Sequence, residues 1–160
     1  MSAVERCDQQ ESVDVREAIR ALLAAAPLAV LCTQGEGQPY GSLIAYAYSA
    51  DLRQAAFVTP KATHKYALLS ACDRVALVID NRDAHPNDPL CVSAITATGR
   101  AAELVPGAEW DRWAEALCAR HSYLVALVHA PDVALFGVDL TRYLYVSQLQ
   151  RVAYWTPPAC

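Results

Sequence analysis

Thr59-Pro-Lys-Ala-Thr-His-Lys65 holds both lysines of a chain of 160 residues. It follows a stretch that reads as a strand, Gln54 to Thr59, and leads into a helical stretch from Thr63 to Ala71, with Thr63 as N-cap. The stretch therefore reads as a corner between a strand and a helix. The first amides of a helix have no intrahelical acceptor and lie at the positive end of its dipole. Thr59 and Thr63 add hydroxyls, Lys65 a point charge, and His64 a further donor. These are the parts that hold a phosphomonoester at a helix start. They also build an ordinary threonine-capped surface helix with two solvated lysines, and the stretch alone leaves both readings open.

Upstream, Asp14 stands three residues before Glu17 in the manner of a capping box, and Val15, Ile19, Leu22 and Leu23 recur at helical spacing until Pro27. Leu28 to Thr33 reads as a strand, Gln34 to Pro39 as a turn and Tyr40 to Tyr48 as the returning strand. Gly35-Glu-Gly-Gln-Pro-Tyr-Gly41 resembles a dinucleotide fingerprint only superficially. A strand follows it rather than a helix, so the dipole that such a loop needs is missing.

Downstream, Arg74 to Asp80 is a buried strand, Asn81 to Pro89 a loop, and Cys91 to Leu104 a long alternating strand. Gly99 in that strand marks a bulge or a close approach of another backbone. Trp110, Trp113, Leu117 and Leu124 share a face of the helical region from Ala108 onward, and a second short helix ends near His129. Ala134 to Val138 and Arg142 to Gln148 are expected as two strands around a turn at Asp139. One helix, then antiparallel strands with helices inserted twice, fits a mainly β domain with flanking helices.

Composition narrows the function. Thirteen Lys+Arg against seventeen Asp+Glu give a net charge of -4, which argues against a general nucleic-acid binder. Hydrophobic residues at 54% are too many for a disordered chain. The longest apolar run, Ala21 to Leu31, is interrupted by Pro27 and is too short to span a membrane. Residues 1–12 are polar, expected to be mobile, and offer no signal-peptide core, so a cytoplasmic location is the expectation. Cys7, Cys32, Cys72, Cys91, Cys118 and Cys160 contain no C-x-x-C pair and are expected as free thiols. His64, His85, His121 and His129 show no metal spacing, and no Cys–His nucleophile signature occurs. No metal site and no catalytic residue is assigned.

Three ordered stretches resemble the flavin-binding split-barrel proteins related to pyridoxamine 5'-phosphate oxidase. They are Gln38 to Ala47, Ala56 to Lys65 and Arg74 to Arg82. Ile95 to Glu103, with its Gly-x-Ala-x-Glu pattern, and the two closing strands continue the resemblance. It implies a single domain over residues 1–160, a six-stranded antiparallel Greek-key split β-barrel. It further implies a homodimer with FMN in clefts between the subunits. The implied cofactor-binding residues are Ser42, Leu43, Ile44 and Ala45 along one strand and Val58 and Thr59 on the next. Thr63, His64 and Lys65 would lie at the phosphate, with Asn81 and Arg82 after the neighbouring strand.

The chain departs from the oxidase pattern at Ser42, where the family has arginine, at Ala47, where it has lysine, and at His64, where arginine is usual. Its end, Thr156 to Cys160, lacks the oxidase's arginine- and histidine-bearing substrate tail, so vitamin B6 oxidation is not expected. The resemblance implies a flavin-dependent oxidoreductase acting on an unidentified small substrate with an unidentified electron donor. The alternatives are a non-catalytic flavin, deazaflavin or haem binding, storage or sensing module, and a dimerisation domain with an empty cleft.

Overall fold

The computed structural model describes residues 14–159. The expected mobility of residues 1–12 and the thiols of Cys7 and Cys160 lie outside them. Helix α1 (Val15–Ala25) starts where the Asp14 carboxylate accepts from the Arg16 amide at 3.0 Å. Its Ile19, Leu22 and Leu23 are buried. Strands β1 (Leu28–Gly35) and β2 (Gln38–Ala45) form the expected hairpin. Both turn residues have positive φ, Glu36 at 52° and Gly37 at 80°, the geometry that suits the strand twist. β3 (Ala47–Tyr48) and β4 (Gln54–Pro60) lead into α2 (His64–Ala71). There follow β5 (Arg74–Asp80), β6 (Ser93–Glu103), α3 (Ala108–Arg120), the one-turn α4 (Val125–Val128), β7 (Val133–Ser147) and β8 (Arg151–Trp155).

The eight strands lie in the order β2-β1-β5-β6-β7-β4-β3, with β8 beside β7. Only Tyr46 separates β2 from β3, so the two ends of that path are one run of chain. The sheet thus curls into a circuit of β1, β2–β3, β4, β7, β6 and β5, which is the six-stranded antiparallel barrel expected; β8 is added outside it. The circuit is incomplete along β2, whose edge away from β1 has no strand partner among the described residues. That gap is the split.

Two expectations need correction. Val133–Ser147 is one strand, not two around a turn. Asp139 and Leu140 stay paired with Arg100 and Gly99, while Thr141 is the extra residue of a bulge opposite the Thr98–Gly99 step. A bulge and a turn share the same small polar residues, so the sequence alone does not separate them. β8 was not expected at all. Its turn uses Gln148 and Leu149 at φ 51° and 61°, residues that carry no turn signal.

Side-chain alternation on β4 explains the core. Ala55 and Phe57 point into the barrel with Leu31, Ile44, Leu77, Ile95 and Phe136. Ala56 and Val58 point outward under Trp113 and Leu117 of α3. Both faces are covered, so β4 reads as an unbroken apolar run. The Phe57 and Phe136 rings stack at 5.5 Å. Fully buried Tyr143 donates its phenol proton to the Leu52 carbonyl at 2.8 Å, holding a residue whose φ is 62°. Tyr143→Phe leaves that carbonyl unpaired and is expected to cost about 1–3 kcal/mol in urea unfolding.

Burial also raises the tyrosine pKa values, Tyr46 to about 12 and Tyr143 well above its usual value. An unfolded tyrosine ionises near 10, so above that pH the unfolded state binds fewer protons than the native one. Stability is therefore intact below about pH 10 and falls as pH rises toward 12. Urea midpoints measured between pH 9 and 12 check this; a flat profile would contradict it.

Candidate functional site

The end of β2, the end of β4, the first turn of α2 and the segment from Tyr123 to Leu127 enclose a cleft of about 280 Å³. Leu43, Ile44, Ala45, Val58, Thr59, Thr63 and Lys65 all line it. Ile44 buries its side chain in the barrel, so its backbone is what reaches the cleft wall. The unpartnered edge of β2 runs along the same wall.

The corner is built as its sequence demands. Thr63 caps α2: its hydroxyl accepts from the Tyr66 amide at 3.2 Å and donates to the Pro60 carbonyl at 2.9 Å. With that proton committed, the 3.1 Å contact between the two threonine hydroxyls has Thr59 as donor. The amides of His64 and Lys65 have no acceptor among the described residues. The two lysines differ sharply. Lys61 pairs with Glu103 at 3.2 Å, and Glu103 also accepts from the Tyr66 phenol at 2.9 Å. Lys65 is half-buried, has no carboxylate within ion-pairing distance among the described residues, and is held below its usual pKa by burial.

Four of the expected residues are not gathered there in the single chain. His64 is exposed and sets its ring edge-on against Tyr40, with centroids 4.9 Å apart. Ser42 lies on the Tyr40 and Ile44 side of the strand, and its buried hydroxyl has no partner. Asn81 and Arg82 line an adjacent cleft of about 560 Å³ that shares Leu28 and Leu43 with the first. There Arg82 makes a two-pronged bond to Asp80, at 2.8 and 2.6 Å, and this holds the Asp80 carboxyl below its usual range. Asn81 accepts from the Ser93 amide at 2.7 Å.

Sequence reasoning missed the wall formed by Tyr123, Leu124 and Leu127. Its anchor is His121, buried, with Nε2 2.8 Å from the Tyr46 carbonyl. A carbonyl only accepts, so Nε2 carries the proton and Nδ1 is the acceptor for the Tyr123 phenol, at 3.4 Å. The histidine lies 75 residues from its carbonyl partner, so no local pattern could have marked it.

Residues 15–147 match the pyridoxamine 5'-phosphate oxidase family over most of the chain. The chain belongs to that family. No curated protein matches it by sequence. Among solved structures, a haem-binding protein from Mycobacterium smegmatis aligns with a TM-score of 0.81 at 19% identity. That alignment covers 92% of this chain and 60% of the other. The haem storage protein HutZ of Vibrio cholerae gives 0.70 at 11%, covering 90% and 95%. A FAD-binding protein from Mesorhizobium loti gives 0.67 at 19%, covering 83% and 92%. At these identities the likeness establishes a shared split-barrel fold. The chain spans about three-fifths of the mycobacterial protein's length. Among the described residues of this family member, no helix is long and apolar enough to cross a membrane, and no three His, Cys, Asp or Glu side chains form a metal-holding group.

Proposed function

We propose that the cleft binds FMN and that the chain works as a homodimeric flavin-dependent oxidoreductase on a small substrate. The observation that carries this is Lys65: an unpaired, half-buried ammonium beside two free helix amides, facing a bare strand edge across a cleft. A terminal phosphate fits those donors, since each charge-assisted hydrogen bond is about twice as strong as a neutral one. Thr59 joins them by turning its hydroxyl away from Thr63. The backbone of Ile44 and Ala45 suits the polar edge of a flat ring, and Val58 and Leu43 supply apolar contact. Bound FMN supplies the redox chemistry; the residues orient it, exclude water and tune it through hydrogen bonds.

One chain makes only part of such a site. Its cleft is at the small end for an organic ligand. Leu28 and Leu43, which border both clefts, are 42% and 67% exposed. A second copy laid on this face covers both leucines and deepens the cleft. Leu43→Glu is therefore expected to give monomers in light scattering and to lose FMN at the same time. A dimer that keeps full FMN affinity would contradict the shared cleft.

The absorption spectrum and mass of the molecule that co-purifies test the assignment. Flavin bands with the mass of FMN support it, and the mass of FAD corrects the cofactor. A Soret band selects haem, the second reading, which is favoured by the haem-binding and haem-storage neighbours. Anaerobic bleaching by NADH or NADPH with recovery in air separates an oxidoreductase from a store.

A further inference from the structure

A groove of about 490 Å³ lies between α1, β3 and α3, and it shares no residue with the FMN cleft. Its floor is small, with Ala24, Ala47 and Ala116, and its sides are Tyr48 and two arginines, Arg20 and Arg120. No carboxylate lines it.

Arg120 does two things at once. Its Nη2 donates to the Leu23 and Ala26 carbonyls at 2.6 and 2.8 Å, capping the end of α1, where the sequence places no basic residue in the last turn. The helix end carries only about half a negative charge, so the guanidinium is not neutralised by it. Its Cζ lies 5.1 and 5.2 Å from the centroids of the neighbouring Tyr46 and Tyr48 rings, which flank it on one side and leave the other side open. Tyr46 is kept neutral by burial and is no counter-ion. Nε is buried with no partner, and Nη1 has no acceptor among the described residues.

Arg20 differs: its Nη1 donates to the Ala50 carbonyl at 2.8 Å, and its Nε pairs at 3.5 Å with Glu17, whose side chain is 61% exposed. Among the described residues Arg120 has no carboxylate within ion-pairing distance, and Arg20 has only the exposed Glu17, so the alanine floor is flanked by more positive than negative charge. A half-buried cation is costly unless an anion accompanies it, and the planar fork of arginine suits carboxylate.

We propose that this groove is a second ligand site, for a small aromatic carboxylate, with the carboxylate between Arg20 and Arg120 and the ring on the alanine floor beside Tyr48. It is independent of the FMN reading, because the groove and the cleft have separate linings. Arg120 also shares with the Tyr46 phenol the capping of α1, so its removal mixes folding with binding, and the test uses Arg20→Gln and Ala116→Trp on the full chain.

Calorimetric titration with benzoate is expected to show saturable binding, and its neutral analogue benzyl alcohol to bind at least about tenfold more weakly. Arg20→Gln should weaken benzoate about three- to tenfold, the loss of one partly screened charged contact. Ala116→Trp should abolish binding, and Lys65→Ala should leave it unchanged. Loss in Lys65→Ala with retention in Arg20→Gln would place the anion at the phosphate corner and overturn the proposal. Equal affinity for the alcohol, or no binding of benzoate, would overturn it as well.

Discussion

Lys65→Ala is expected to weaken FMN about ten- to a hundred-fold, the loss of one charge-assisted contact worth about 1.5–3 kcal/mol. Riboflavin, which has no phosphate, should change by less than about twofold. The difference between the ligands is the informative quantity, because a general disturbance of the cleft would weaken both. Lys61→Ala is the matched control. Its ammonium is already committed to Glu103, so FMN affinity should fall far less than in Lys65→Ala. Fluorescence quenching titrations with both ligands on the three proteins decide it. Equal losses for FMN and riboflavin in Lys65→Ala would remove the lysine from the phosphate.

Gly99→Ala is expected to cost about 3 kcal/mol and to lower the yield of folded protein. A Cβ at this position would overlap the Asp139 carbonyl oxygen and lie 3.2 Å from the Leu140 Cα. Both obstacles are backbone, fixed by the ladder between β6 and β7, so no side-chain rotation relieves the overlap. The substitution must push the two longest strands apart at their bulge. Gly137→Ala is the contrast, because the atoms nearest its Cβ would be those of the flexible Leu104 side chain, from 3.2 Å. Urea unfolding of both variants checks the pair. A Gly99→Ala protein as stable as the parent would mean that this bulge is not where the strands are drawn together.

Much of the barrel was legible because its signals are local. The β1–β2 hairpin announces itself through Glu36-Gly37 between apolar runs, and α2 through Thr63 at its N-cap. Gly99 was readable as a bulge or close approach, and it is both. The bend in β7 was not readable, since Asp139-Leu-Thr suits a turn as well as a bulge and only the pairing partner across the sheet chooses. β8 stayed hidden because Gln148 and Leu149 take positive φ without glycine or asparagine, held there by the pairing on either side.

The site divides along the same line. Strand pattern and helix capping, both short-range, were enough to set Thr59, Thr63 and Lys65 together at one corner, whereas Ser42 to Ala45 were named only through the family resemblance, and the structure shows that Leu43, Ile44 and Ala45 line the cleft. Which lysine is left free was decided in three dimensions, where β6 delivers Glu103 to Lys61 and Lys65 meets no carboxylate among the described residues. The same is true of the wall that Tyr123 forms on His121, and of the groove in which Arg120 meets Arg20. Those contacts join segments far apart in the chain, and a sequence records such a meeting only as two unremarked residues until burial and hydrogen bonding bring them together.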